Sequence, residues 1–285
     1  MLRLWQASLP AGSAGLAWLG QAGFALRCEG RRFLIDPYLS DFLAEKYRGT
    51  EFPHVRLMPP PVEAAQIHGL DWVFCSHRHS DHTDPGSLPL LARNNPSCRF
   101  VVPRAERQAA LQAGVPLERM AAVNAGESLS LSENATVEVV AAAHETLKVN
   151  ALGEHHFLGF IFKTPRLALY HSGDCAPYDG LAAELLRRNI DLALLPVNGR
   201  DAHLTRRGIA GNFTFAEARQ LCMDARIPCL IPHHFGMFAF NTPSLAELRH
   251  EAGRAAFAGC CLLPSVESYY LLEKDQSEAP VLVEL

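Results

Sequence analysis

Apolar residues along this chain fall into short runs separated by glycine and proline, a pattern typical of a strand-rich protein. In the first part of the chain these runs predict strands over 16–19, 24–28, 32–36 and 72–75. β-Branched residues predict further strands within 128–143 and 157–170. Near-continuous apolar runs at 192–197 and 229–231 favour strands that are covered on both faces.

Helices are predicted between these strands, at 105–113 and 181–188 and after two capping boxes. In each box a hydroxyl and a glutamate three residues later satisfy backbone N–H groups; the pairs are Thr214 with Glu217 and Ser244 with Glu247. The longest irregular piece is the proline-rich loop 43–63, and no linker separates two domains. The pattern predicts one α/β domain over 1–285.

Composition limits the partners and the location. The 285 residues are 48% hydrophobic and 20% charged, which is ordinary for a globular protein. With a net charge of -4 and no basic block, we expect neither a nucleic acid nor an anionic membrane surface as a partner. The chain contains no apolar stretch of about 18 residues, so no membrane span is expected. Eight cysteines without a CxxC pair, and an N-terminal apolar stretch broken by Pro10 and Gly12, predict a cytoplasmic protein with reduced thiols.

The chemistry concentrates in residues 75–84, CSHRHSDHTD, which follow an apolar strand. Imidazole nitrogens and carboxylate oxygens are the usual ligands of zinc, manganese and iron. We expect His77 and His79 to converge on one position, and Asp81 and His82 on a second one as the chain turns into the next helix. The spacing therefore predicts two adjacent metal positions.

The hexad His77-x-His79-x-Asp81-His82 resembles the signature of the metallo-β-lactamase superfamily. This resemblance implies an αββα four-layer sandwich and adds later landmarks, each near the end of a predicted strand: Asp36, His144, Asp174 and His234. It implies a first metal position held by His77, His79 and His144. It implies a second one held by Asp81, His82 and His234, with Asp174 shared. We expect Asp81 and Asp174 to take part in catalysis as well.

Within the superfamily, the segments WLGQAGFAL, FKTPRLALYHSGD and IPHH, with the NG of PVNGRD, are similar to the L-ascorbate-6-phosphate lactonase-like group. That similarity implies a metal-dependent hydrolase that uses activated water on an ester, most simply a small anionic sugar or sugar-phosphate lactone. It favours manganese, while the ligand set also suits zinc or iron, at one or both positions. For the anion we expect Arg78, Arg200 and His156 to bind the substrate.

Several alternatives stay open from the sequence. A phosphodiesterase or phospholipase-D-type hydrolase would use the same centre on phosphorus, and a di-iron redox protein would use it with a flavin partner. His233 competes with His234, although alternation along a strand allows only one to face the metals. His171, Ser172 and Asp174 form a weak triad candidate, and we expect Cys175 to pack beneath the site. No role is expected for His54, His68, His203 or His250, and a homo-oligomer is allowed.

Overall fold

The computed structural model describes residues 1–253 and 259–285. Its strands, numbered in chain order, are β1 Ala14–Gly20, β2 Gly23–Cys28, β3 Arg31–Ile35, β4 Trp72–Phe74, β5 Arg99–Pro103, β6 Met120–Val123, β7 Ser128–Ser132, β8 Ala135–Ala141, β9 Ala143–His144, β10 Thr146–Leu147, β11 Leu158–Lys163, β12 Ala168–His171, β13 Leu192–Pro196, β14 Cys229–His233, β15 Cys260–Cys261, β16 Tyr270–Lys274 and β17 Pro280–Glu284. Its α-helices are α1 Leu2–Gln6, α2 Phe42–Lys46, α3 Leu88–Asn94, α4 Arg107–Gln112, α5 Leu181–Leu186, α6 Ala202–Arg206, α7 Phe215–Asp224 and α8 Leu245–Ala252.

The strands form two large mixed sheets. One has the order β17-β16-β1-β2-β3-β4-β5-β6 and the other β15-β14-β13-β12-β11-β8-β7, with β9 and β10 as a separate small pair. In β1 alternate side chains point to opposite faces: Leu16 and Trp18 pack toward the second sheet, while Leu19 packs toward α1 and α3. Both faces of β1 are buried, which explains its continuous apolar run.

Aromatic rings join the two sheets across their shared core. Phe74 of β4 meets Phe160 of β11 at a centroid distance of 5.2 Å and Phe162 at 4.9 Å, both in edge-to-face geometry. Helices cover the outer faces, with α3 and α4 against the first sheet and α5 and α7 against the second. The αββα four-layer sandwich implied by the resemblance is confirmed.

Most of the predicted elements are present, with shifted ends. Both capping boxes form and start α7 and α8. The predicted helix 105–113 begins as a 3-10 turn, Arg104–Glu106, before α4. The loop 43–63 is not irregular from its start, because α2 occupies its first residues. None of the helices in the described part of the chain is long and apolar enough to cross a bilayer.

The carboxyl ends of the parallel strands in both sheets lie at one edge of the sandwich. β3 to β6 run parallel in the first sheet, and β12 to β15 run parallel in the second. In open α/β sheets this is the edge at which ligands bind. The predicted metal ligands follow several of these strands, so the fold brings them to this edge.

Candidate metal centre

The predicted ligands come together at this edge although they are far apart in sequence. The structure forms two adjoining groups of side chains whose ligand atoms lie within 4.8 Å of one another: His77, His79, His144 and Asp174 in the first, and Asp81, His82 and His234 in the second. These are the seven side chains predicted from the sequence, divided between the same two positions.

Asp174 stands between the two groups. Its Oδ1 lies 3.3 Å from His82 Nε2, and its Oδ2 lies 3.3 Å from His234 Nε2 and 3.8 Å from His144 Nε2. Each oxygen of this one buried carboxylate therefore faces different imidazoles. That position suits a carboxylate shared by two cations.

A buried carboxylate behind the centre orients His82. Asp36 Oδ2 accepts a hydrogen bond of 2.7 Å from His82 Nδ1, which leaves Nε2 pointing toward Asp174. Asp36 is itself fixed by the amide of Ser76 at 2.7 Å and by the Ser76 hydroxyl at 2.6 Å. A carboxylate behind a ligand imidazole sets the ring orientation and increases its basicity as a ligand.

A chain of asparagines does the same for His144. The ring Nδ1 donates to Asn212 Oδ1 at 3.1 Å, the Asn212 amide donates to Asn198 Oδ1, and the Asn198 amide donates to Asn241 Oδ1, the last two at 3.0 Å. Because the amide oxygen accepts, Nδ1 carries the hydrogen and Nε2 keeps a lone pair for the centre. Asn198 belongs to the NG pair noted in the sequence, whereas Asn212 had no signal of its own.

Gln21 is a further residue that sequence reasoning missed. Its side-chain amide donates to Asp81 Oδ2 at 2.9 Å and lies 3.1 Å from His234 Nε2. It sits in the turn between β1 and β2, inside the quoted segment WLGQAGFAL. The Gln21 side chain therefore connects Asp81 with His234 in the second group.

Three residues at the centre have left-handed backbone angles that glycine normally adopts. They are Gln21 with φ 51°, Asp36 with φ 44° and His234 with φ 60°. Such angles cost about 1–3 kcal/mol each in a non-glycine residue and persist only where the surrounding structure fixes them. At these three positions the surrounding structure holds an unfavourable backbone angle and thereby orients the side chains.

The electrostatics of the two groups differ. In the first group, burial lowers the pKa of His77 well below its ordinary value and also lowers the pKa of His144, so both imidazoles are neutral and offer lone pairs. In the second group burial opposes protonation of His82, but Asp174, Asp36 and Asp81 outweigh it and raise its pKa well above the ordinary value. The negative charges of these three carboxylates are thus stabilised by a positive charge placed among them.

The residues fit a pair of cations. His82 Nε2 and Asp174 Oδ1 are buried and lie 3.3 Å apart, and neither forms a well-aligned hydrogen bond with the residues that the structure describes. Buried polar atoms of this kind are costly unless something satisfies them. A cation facing both atoms would do so, and the imidazole and carboxylate donors suit zinc, manganese or iron.

A cavity of about 710 Å³ opens in front of the centre. His79, Asp81, His144, Asp174 and His234 form its floor. Its walls include two segments, 43–54 and 207–210, which are joined by an ion pair between Arg207 and Glu51, together with Arg78, Phe238 and Asn241. Lys46, Arg78 and Arg207 supply positive charge to these walls.

The three predicted substrate-binding residues have different positions. Arg78 lines the cavity and is more than half exposed, with its Nε 3.9 Å from Glu106 Oε1. Arg200 does not line it, because its guanidinium donates to the Asn212 carbonyl oxygen and to Glu217 at the start of α7. His156 does not line it either, since Glu106 Oε1 holds its ring at 2.5 Å.

The remaining histidines and Cys175 lie in different surroundings, which decide whether each can take part in the site. His171 donates from Nε2 to the Ala22 carbonyl oxygen and accepts from the Gly173 amide, so it is not available to a serine triad. His233 is buried and stacks on His171 with a centroid distance of 4.9 Å, while His234 faces the centre. Burial raises the pKa of the Cys175 thiol to about 12, and it packs beneath the site as predicted. His54, for which no role was expected, lines the cavity.

This chain is similar in sequence to known metal-dependent hydrolases. The sequence profile of the beta-lactamase superfamily domain matches residues 31–235. A metal-dependent hydrolase of Caldivirga maquilingensis is 28% identical over 186 residues, which cover 65% of this chain and 70% of that protein. An N-acyl-phosphatidylethanolamine-hydrolyzing phospholipase D of Caenorhabditis elegans is 31% identical over 87 residues, which cover 30% of this chain and 23% of that protein.

A solved structure shows the same fold. The isothiocyanate hydrolase from Delia radicum gut bacteria superposes with a TM-score of 0.70 at 15% identity, covering 90% of this chain and 98% of that one. The profile match spans most of the chain and includes the hexad, Asp36, His144, Asp174 and His234. This chain belongs to the metallo-β-lactamase superfamily.

Proposed function

We propose that this chain, a metal-dependent hydrolase of the metallo-β-lactamase fold, cleaves the ester bond of a small anionic lactone. One observation carries the proposal. Five of the seven candidate metal ligands form the floor of a cavity whose walls contain Lys46, Arg78 and Arg207. One substrate in this cavity can place its ester over the floor and its negative group beside these cationic side chains.

The proposed ligand sets are those of the two groups. His77, His79 and His144 would hold the first cation, and Asp81, His82 and His234 would hold the second, with Asp174 available to both. Cations in such a centre lower the pKa of water and polarise the bond that is cleaved. Manganese and zinc are both proposed as occupants, and iron suits the same donors.

The chain's own residues contribute orientation and charge. Asp36 and Asn212 fix the rings of His82 and His144 through their Nδ1 atoms. Gln21 holds Asp81 in place through its amide. Asp81 and Asp174 keep negative charge at the floor, so a developing negative charge on the substrate depends on the cations and on Lys46 or Arg78 for stabilisation.

The cationic walls support an anionic substrate. The structure gives Lys46 no carboxylate within ion-pair distance among the described residues, and its Nζ lies 5.1 Å from the ring centroid of Tyr47. Arg207 is already paired with Glu51. Lys46 and Arg78 are therefore the cations freest to meet a carboxylate or a phosphate, and they take the part predicted for Arg200.

Phosphodiester hydrolysis is the second candidate. The short stretch that this chain shares with a phospholipase D favours it. The same centre would act on phosphorus, with the cavity receiving a phosphate diester.

A substrate panel separates the two candidates. The purified protein, loaded with manganese or with zinc, is assayed on δ-gluconolactone, its 6-phosphate, and bis(p-nitrophenyl) phosphate. We expect both lactones to be hydrolysed, with a higher kcat/KM for the phosphorylated one. Hydrolysis of the phosphodiester with both lactones untouched would replace the first candidate by the second.

The eight cysteines are all free thiols, which supports our proposal that the protein works in a reducing compartment such as the cytoplasm.

A further inference from the structure

One wall of the cavity is made of aromatic rings. Tyr47, Phe52, His54 and Phe238 all line it. They come from the segment after α2 and from the turn after β14. Two distant parts of the chain thus bring rings to one surface beside the metal centre.

Tyr47, His54 and Phe238 form one set of ring contacts, and Phe52 joins this set through Phe240. His54 stacks on Tyr47 with a centroid distance of 4.3 Å and an interplanar angle of 26°, and it meets Phe238 edge-on at 4.9 Å. Phe240 supports His54 from another side at 4.8 Å. We name Tyr47, Phe52, His54 and Phe238 the aromatic wall.

His54 adds no charge to the aromatic wall. Its Nδ1 lies 2.8 Å from the carbonyl oxygen of Phe52, and because a carbonyl only accepts, Nδ1 carries the hydrogen. Burial lowers the pKa of His54, which also favours the neutral ring. The aromatic wall therefore presents uncharged ring surface, and Lys46 places its Nζ over the Tyr47 ring, 5.1 Å from the ring centroid.

Rigid aromatic surface discriminates between flat and puckered groups. A ring that stacks on or meets the edge of another gains a contribution beyond its buried area that corresponds to about a two- to tenfold change in affinity. A saturated ring of the same size buries similar area without this contribution. The wall thus selects by the kind of ring as well as by size.

Resting on the lactonase function proposed above, we propose that the substrate carries an aromatic ring that packs on the aromatic wall while its ester lies over the metal centre. The acidic group of the substrate then lies toward Lys46 or Arg78. This assigns the substrate class as an aryl-substituted lactone or ester, and it makes Tyr47 and His54 specificity-determining residues.

Matched lactones test this assignment. γ-Phenyl-γ-butyrolactone and γ-cyclohexyl-γ-butyrolactone share the scissile ester and similar leaving groups, so their kcat/KM ratio reports the ring. We expect the phenyl compound to be preferred about two- to tenfold. Tyr47→Leu and His54→Leu should each bring this ratio toward one. Tyr269→Leu removes a half-buried tyrosine that does not line the cavity, and it should keep the parental ratio.

A binding experiment separates this inference from the proposed function. Titration calorimetry compares phenylacetate with cyclohexylacetate on the metal-loaded protein, and we expect the aromatic acid to bind more tightly by a similar factor. If no lactone is turned over and phenylacetate still binds more tightly in a Tyr47-dependent manner, the lactonase proposal fails and the aromatic wall stands. Equal binding of the two acids, or a phenyl preference that survives both Leu substitutions, would overturn the inference.

Discussion

The floor of the cavity and its aromatic wall are built by opposite means. Floor residues lie at or shortly after strand ends, with Asp174 and His234 buried, and the two groups they belong to are fixed by hydrogen bonds with Asp36, Asn212 and Gln21. Wall residues belong to loops, are mostly half-exposed, and are fixed by ring contacts and the ion pair of Arg207 with Glu51. A site on strand ends is positioned more precisely than one on loops. We therefore expect catalysis to depend on the floor and substrate selectivity to depend on the aromatic wall.

The largest effect is expected at the shared carboxylate of the floor. Asp174→Asn removes the charge that faces both ligand groups, and we expect kcat/KM to fall by about 100- to 1,000-fold, the scale of losing one charge-stabilising group at an active centre. The measurement is steady-state kinetics on the best lactone at fixed metal concentration.

Asp191→Asn is its matched control. Asp191 is also buried, accepts from the Ala168 amide, and lies at the opposite end of the same parallel strands. We expect a loss of thermal stability without loss of kcat/KM in the folded fraction. Equal kinetic losses in the two variants would remove Asp174 from the chemistry.

A substitution at Asp36, which lies behind the floor, should have a smaller effect than a substitution at Asp174. Asp36→Asn weakens the orientation of His82, and we expect about a 10- to 100-fold loss of metal affinity, the usual cost of altering a group behind a ligand imidazole. Competition with a chromogenic chelator measures it.

Asp84→Asn provides the comparison, since Asp84 is a buried carboxylate of the same loop that bonds to Ser40 and Ser87 instead of an imidazole. If Asp84→Asn weakens metal binding as much as Asp36→Asn does, loop stability, and not the orientation of His82, explains the effect.

The floor and the aromatic wall also differ in how well the sequence predicted them. The floor was predicted because the hexad places four of its ligands within six residues and the others follow strands. Gln21 and Asn212 were missed, since an amide that touches a ligand has no characteristic spacing. His54 was set aside because its cavity position depends on the contact between the loop after α2 and the turn after β14.

Arg200 illustrates a different kind of error. It follows the NG pair, and Asn198 of that pair does connect to the centre through Asn212. The guanidinium, however, turns to Glu217, the glutamate of a capping box that is visible in the sequence. Because this glutamate pairs with Arg200, we expect Lys46, which lines the cavity, to meet the anion instead.

The smallest effect is expected at the rim. Lys46→Ala should raise KM for an anionic lactone about two- to fivefold, the scale of an exposed ion pair, while the KM for a neutral lactone stays unchanged. The effect should shrink as salt is added. Arg166→Ala, which removes an exposed cation outside the cavity, is the control. A KM increase shared by neutral and anionic lactones would show that Lys46 shapes the wall without binding the anion.

The proposed metal centre is tested by the metal content of the protein. We expect one to two equivalents of a transition metal in the purified protein and the loss of at least one site in the His77→Ala/His79→Ala double variant, because both imidazoles belong to the first group of candidate ligands. Elemental analysis by mass spectrometry, with circular dichroism to establish that the variant is folded, gives the answer. A folded double variant with undiminished metal content would contradict the proposed centre.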